Sequence, residues 1–274
     1  MITDCIQPSI GECIRPAVGD PRKALFRARF SPAATNYFSR LDAAGLRVTA
    51  YDAANARLID RLVEAGGNFW PDSGAFVAMA GYLFPSAGTL VPLHPNHDAG
   101  TLVDFVTGDW NAVTGQIGDG ISKYVNSNRA AGADPQNDIS LGTYVNAGSG
   151  ILIGNGSDDT GAMFLRDNVS RNRNSTADTV TGFTTGYIGS TRSLAAEYLL
   201  RNSGTNTTIT RTSQTPRNRN MFVYGVPRGA ESTPNFFGSA RQPFYHIGPN
   251  LSGTGELALI DTIITDWQTD LANA

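Results

Sequence analysis

From Phe69 to Gly248 the sequence is a succession of short apolar runs divided by clusters of Gly, Asn, Asp and Ser. The runs fall at Phe76–Met79, Leu102–Val106, Ser122–Val125, Ile139–Val145, Ile151–Ile153, Ala162–Leu165, Thr184–Ile188, Ala195–Leu200, Met221–Val226 and Phe244–Ile247. Runs this short, punctuated by turn residues, predict the strands of an antiparallel β-sandwich. Asp119-Gly120, Asn155-Gly156 and Arg201-Asn-Ser-Gly204 are the tight-turn signals. Residues 166–180 and 201–220, rich in Asn, Arg, Ser and Thr, read as exposed hairpins or loops. After the last strand, one amphipathic helix is predicted from about Gly255 to Leu271. It puts Leu257, Ile260, Ile264, Trp267 and Leu271 on one stripe, with Ile263 beside it. A stripe of barely two heptads is too short to hold a coiled coil, so it is expected to cover a sheet.

Two further helices precede the strands. Ser31-Pro32 supplies an N-cap hydroxyl and a proline at the first helical position, Tyr37, Phe38 and Leu41 share a face, and Gly45 stops the helix. Thr49-Ala-Tyr-Asp52 resembles a capping box for a second helix carrying Ala56, Ile59, Leu62 and Val63 and ending at Gly66-Gly67. Glu is rare and Gly numbers 30, which suits a turn-rich β protein better than a helical one. A chain of 274 residues buries roughly three-quarters of its unfolded surface, so its core needs no metal or disulfide. With a net charge of −3 and no basic stripe, duplex nucleic acid is not expected as a partner. No apolar stretch reaches the ~20 residues of a membrane span, and the start lacks a secretion signal. Synthesis as a soluble cytoplasmic product is therefore expected.

Residues 4–19 hold a small repeat, Asp4-Cys-Ile-Gln-Pro-Ser-Ile-Gly11 followed by Glu12-Cys-Ile-Arg-Pro-Ala-Val-Gly19. Each proline forbids regular helix and pushes the preceding residue towards extended geometry. Ile6, Ile10, Ile14 and Val18 give this arm an apolar side with no core of its own, so it is expected to dock in a groove. Cys5 and Cys13 are either free thiols or disulfide partners; without a nearby His they do not suggest zinc. The predicted organisation is an attachment arm over 1–30, a helical pair over 31–68, and the sandwich with its final helix over 69–274. Cys5, Ile6, Ile10, Cys13, Ile14 and Val18 are the candidate partner-binding residues.

Motifs of chemistry are sparse. His94-Pro-Asn-His97-Asp98 has the residue types of a metal site, but its proline and its loop setting favour a surface turn. Asp158-Asp159 after Asn155-Gly156-Ser157 has the oxygens of a calcium loop, but a solvated turn is the favoured reading. His246, inside Phe-Tyr-His-Ile, reads as a hydrogen-bonded or outward-facing strand residue. Trp70, Trp110, Tyr124, Tyr187 and Tyr198 could stack on sugars, although strand aromatics mostly fill cores. No nucleophile elbow, phosphate loop or dinucleotide fingerprint occurs, and no pair of carboxylates has glycosidase spacing. The sequons at Asn168, Asn174, Asn206 and Asn250 are expected from an Asn-, Ser- and Thr-rich composition. No catalytic residue, cofactor or metal is expected, and the chain reads as non-enzymatic.

Several segments in order resemble a known family. They are Ile117-Gly-Asp-Gly-Ile-Ser-Lys-Tyr-Val-Asn126, Tyr198-Leu-Leu-Arg-Asn-Ser-Gly204, Arg219-Asn-Met-Phe-Val-Tyr-Gly225, and Phe237-Gly-Ser-Ala-Arg-Gln-Pro-Phe-Tyr-His-Ile-Gly248 with its following helix. Over about residues 31–272 the chain resembles the concanavalin A-like, laminin-G-like jelly rolls of tailed-bacteriophage structural proteins. The resemblance implies a mainly β jelly-roll sandwich and a virion component of tail, neck or head, with other virion proteins and sometimes host surface glycans as partners. A homo-oligomer anchored to the particle by its N-terminal arm is the expectation, with a carbohydrate-binding adhesin as the alternative and a polysaccharide hydrolase ranked last.

Overall fold

Two antiparallel sheets lie face to face, and a layer of three helices covers the outside of one of them. The computed structural model describes residues 30–70, 77–80, 89–97, 99–157, 160–179, 182–183, 185–251 and 255–274, with backbone only at 77–80 and Thr89. The arm residues Cys5, Ile6, Ile10, Cys13, Ile14 and Val18 lie outside the described residues, as do Asp98, Asp158 and Asp159.

The helices are α1 (Pro32–Ala43), α2 (Asp52–Ala65) and α3 (Glu256–Ala272). The strands of the two sheets are β1 (Val77–Ala80), β2 (Thr89–Leu90), β3 (Gly100–Val103), β4 (Tyr124–Ala130), β5 (Ile139–Val145), β6 (Ile151–Gly154) and β7 (Met163–Arg166). They continue with β8 (Val169–Asn172), β9 (Asp178–Thr179), β10 (Gly186–Arg192), β11 (Glu197–Asn202), β12 (Thr205–Thr210), β13 (Asn220–Val223) and β14 (Phe244–Gly248). The 6-stranded sheet runs β1-β14-β5-β10-β11-β12 and the 8-stranded sheet β9-β8-β7-β6-β13-β4-β3-β2. One apolar cluster takes Leu141, Val145, Ile188 and Leu200 from the first sheet and Val125, Ile153, Met163, Leu165 and Val223 from the second. The mainly β sandwich with two N-terminal helices and one C-terminal helix is as the strand pattern predicts.

Local chemistry sets the helix ends. The Ser31 side chain accepts from the Ala34 N–H at 3.2 Å, and Gly45 leaves α1 at φ 70°. The Thr49 capping box does not form. Thr49–Tyr51 makes a short 3₁₀ turn instead, and Asp52 opens α2 while its carboxylate takes Arg47 at 2.7 Å. In α3 the whole expected stripe is buried, Ile263 included. Each such side chain contributes roughly 2 kcal/mol of burial. The Trp267 indole N–H donates to Asn55 Oδ1 at 2.8 Å, and Arg201 of β11 meets Asp261 of α3 at 2.7 Å. Among the described residues no helix is long and apolar enough to cross a membrane.

Below α3 the Tyr187 hydroxyl and His246 Nε2 lie 2.7 Å apart with near-parallel rings. Both side chains are buried, so His246 is a hydrogen-bonded strand residue. Burial lowers His246 to about 3, which keeps the imidazole neutral at physiological pH.

Residues 166–180, expected as an exposed hairpin or loop, do lie in a hairpin, but the exposure is overturned. Ser170, Arg171, Asn172, Arg173 and Asn174 are all buried, and β8 is an interior-facing strand beside the edge strand β9. Much of the polarity of this stretch is paired within the protein. Arg173 donates to the carbonyls of Pro135 and Ala131, and to that of Asp134 at 3.1 Å, while Asn172 Nδ2 donates to Ser190 Oγ at 2.9 Å.

Candidate functional site

At one edge the two sheets part. Between β9 of the 8-stranded sheet and the β11–β12 hairpin of the other lies a cleft of about 650 Å³. Its shape follows from one turn. Ser203 and Gly204 both take positive φ, 48° and 79°, so the hairpin closes in a two-residue loop and Asn202 faces Thr205. Register then sets Leu200 opposite Thr207 and Tyr198 opposite Ile209. Because side chains alternate between faces, Leu200, Asn202, Thr205, Thr207 and Ile209 all present to the same side, and all line the cleft.

The inner wall is Asp178. It accepts from the Tyr198 hydroxyl at 3.1 Å and from Asn174 Nδ2 at 3.3 Å, and pairs with Arg211 at 2.7 Å. The Tyr198 hydroxyl also lies 2.8 Å from Ser170 Oγ. Burial raises the Tyr198 phenol well above its ordinary range, so it stays protonated. Arg192 backs the wall: its guanidinium stands over the Tyr198 ring and donates to the carbonyls of Asn172 at 2.9 Å and of Glu197 and Arg211 at 3.0 Å. One buried cation thereby ties β8 to both strands of the β11–β12 hairpin at its open end. Its own charge is disfavoured by burial, which lowers its pKa.

The cleft therefore has an apolar floor, Leu200 and Ile209, beneath a rim of hydroxyls and amides, with one carboxylate–guanidinium pair at its end. Such a surface offers donors, acceptors and a small apolar patch together. It suits a ligand that is itself amphipathic in alternation, as a sugar ring is.

The other candidates lie elsewhere. His94 and His97 are buried, not on a surface turn, with ring centroids 4.7 Å apart and Trp70 edge-on to His94 at 5.0 Å. The His94 Nδ1 accepts from the Asn96 N–H at 3.2 Å, and burial, with the neighbouring His94, lowers His97 to about 3. Among the described residues no group of three or more metal-ligating side chains converges. Tyr187 and Tyr198 are core residues, Tyr124 packs against Phe222, and none of the five candidate aromatics lines the cleft. Sequence reading missed Asp178, Arg211 and Thr207. The signal was present as Thr205-x-Thr207-x-Ile209 directly after Ser203-Gly204, a strand alternation in a segment too polar to stand out.

No family model matches the chain, and no curated protein matches it. Solved structures do. A sialidase of Trypanosoma rangeli aligns at TM-score 0.50 and 9% identity, covering 80% of this chain and 38% of its own. The binding domain of botulinum neurotoxin serotype D aligns at TM-score 0.46 and 12% identity, covering 70% of this chain and 52% of the other. The NanB sialidase of Streptococcus pneumoniae aligns at TM-score 0.34 and 11% identity, over 44% of this chain and 23% of its own. The chain thus spans well under two thirds of the length of these proteins, and at such identities the likeness concerns the fold. It nevertheless corrects the expectation of a non-enzymatic chain, because the fold is one that a sialidase contains. The expectation rested on missing paired carboxylates. That search tests one glycosidase chemistry, and sialidases, with a tyrosine nucleophile, fall outside it.

Proposed function

We propose that this protein is a glycan-binding β-sandwich of a bacteriophage particle, with the cleft between β9 and the β11–β12 hairpin as its sugar site and the N-terminal arm as its attachment to other virion proteins. The observation that carries the sugar site is the cleft itself: hydroxyl and amide groups around an apolar floor, with Asp178 held in place by Tyr198, Asn174 and Arg211. Its volume of about 650 Å³ falls in the range of small-ligand sites and accommodates a short oligosaccharide. With Tyr198, Asn174 and Arg211 already on its oxygens, the Asp178 carboxylate keeps room to accept one sugar hydroxyl, and the surrounding Thr and Asn side chains both donate and accept. A sialidase shares the fold, which is consistent with a sugar ligand. The phage assignment rests on the motif resemblance over about residues 31–272, and the attachment role on the Cys-Ile-x-Pro repeat of the arm, which lies outside that resemblance.

A glycan array probed with the full chain, beside its Thr207→Tyr variant, tests the sugar site. Thr207 is exposed on a strand, so tyrosine is tolerated there while its ring fills the cleft. Binding by the parent chain that the variant loses supports the site; equal binding by both refutes it. Recovery of the chain from purified particles, lost on removing residues 1–20, tests the attachment.

A further inference from the structure

β12 is an edge strand of the 6-stranded sheet, and among the described residues it has none of the devices that usually protect an edge. Its sequence, Thr205-Asn-Thr-Thr-Ile-Thr210, has no charge and no proline. Its register with β11 is unbroken from Thr205 to Thr210, so no bulge turns it aside. Five of its six residues are exposed. An unbulged, neutral, exposed edge of this kind is a template for pairing with another strand.

The Ser203-Gly204 turn decides which backbone groups face outward. In a two-residue hairpin the flanking pair, Asn202 and Thr205, exchanges hydrogen bonds, and the pattern alternates from there. Thr205, Thr207 and Ile209 therefore bond inward to β11. Asn206, Thr208 and Thr210 direct their N–H and C=O groups away from the sheet. The Thr210 carbonyl is taken by Arg211 Nη1 at 3.2 Å, which closes that end of the strand. Asn206 and Thr208 remain as the pairing positions.

We infer that β12 is a homodimer interface, in which two copies join their 6-stranded sheets edge to edge, antiparallel, about a two-fold axis at Thr207. In that register Asn206 of each copy exchanges its backbone hydrogen bonds with Thr208 of the other, and Thr207 faces its own counterpart. A second copy is the occupant the strand itself selects. The Asn206/Thr208 pair is complementary to itself under a two-fold axis, and a neutral strand brings no like charges together. Thr207 also lines the cleft, so the two clefts meet across the axis and form one groove open to both copies. The shared groove rests on the sugar-site reading; the dimer does not.

Sedimentation equilibrium on the full chain is the test, together with cysteine cross-linking in a Cys5→Ser, Cys13→Ser background. The parent chain is expected to show twice 29.1 kDa. Thr208→Pro removes an outward N–H without breaking the bonds to β11, and Asn206→Lys with Thr208→Lys sets lysine against lysine across the axis. Both are expected to give 29.1 kDa species with unchanged circular dichroism. Thr207→Cys is expected to form an intermolecular disulfide spontaneously, since facing residues at a non-hydrogen-bonded position have Cα atoms ~4.5 Å apart. Thr205→Cys is expected not to. A parent chain that is monomeric at all concentrations, or a dimer that persists in both edge variants, overturns the inference. If the parent dimerises while the array shows no glycan binding, the interface stands and the sugar site falls.

Discussion

The hydroxyl of Tyr187 and the Nε2 of His246, on strands separated by β5, meet at 2.7 Å directly over Gly142. A Cβ on Gly142 would come within 2.4 Å of His246 Nε2 and 2.5 Å of the Tyr187 hydroxyl, and one on Gly189 within 2.2 Å of that hydroxyl. Two glycines on adjacent strands thus hollow out the place where the pair sits beneath α3. Gly142→Ala is expected to cost about 2–3 kcal/mol in urea unfolding, because neither buried ring can move aside. Gly204→Ala, with φ 79° but open space around it, is expected to cost only about 1 kcal/mol. Equal costs would show that the two rings can yield, and that close packing over Gly142 does not make the glycine necessary.

The same pair governs stability at low pH. His246 is lowered by burial to about 3 in the folded chain, against an ordinary ~6.5 once unfolded. Between those values the unfolded chain binds a proton that the folded chain does not, so stability falls as pH drops from about 6.5 to 3. His97, lowered to about 3 chiefly by burial, adds in the same direction. The expected slope is on the order of 1 kcal/mol per pH unit for each histidine. His246→Gln is expected to flatten the urea midpoint profile over this window; an unchanged slope would remove His246 from the account.

Helix α3 holds the outer layer by burial rather than by ion pairs. Trp267→Ala is expected to cost about 3–5 kcal/mol, since it deletes the largest fully buried side chain and leaves Asn55 without its indole donor. Arg57→Ala, which removes a half-exposed pair with Asp270 at 2.7 Å, is expected to cost under about 1 kcal/mol. Thermal unfolding of the two variants checks the ranking.

Arg192 links the core to the cleft. Its guanidinium serves the carbonyls of Asn172, Glu197 and Arg211 at once, a fan that one ammonium cannot reproduce. Arg192→Lys is expected to destabilise by about 2–3 kcal/mol and to weaken glycan binding at temperatures where the variant is still folded. Calorimetric titration at such a temperature separates the effects; full affinity there would show that the cleft does not depend on this arginine.

The elements most legible in the sequence were those whose burial is apolar. Ile139–Val145 and the α3 stripe announce themselves because water exclusion selects the residue types that sequence patterns detect. What escaped was built otherwise. β8 is buried through hydrogen bonds, so its Ser170-Arg-Asn-Arg173 sequence looks like a loop. β12 was legible only as part of an exposed hairpin or loop over 201–220, because an exposed edge strand carries no hydrophobic alternation. The cleft lies between β9, next to the first, and the second, and this is why its residues were invisible as a set. At Thr49 the capping-box pattern lost to Arg47, which draws Asp52 into an ion pair at the start of α2.

The account is tested most directly by a crystal structure of the full chain soaked with the best oligosaccharide from the array. Sugar density over Leu200 and Ile209, with ring hydroxyls within hydrogen-bond distance of Asp178 and Thr207, is the expected result. Density at any other surface, with this cleft filled by solvent alone, would contradict it.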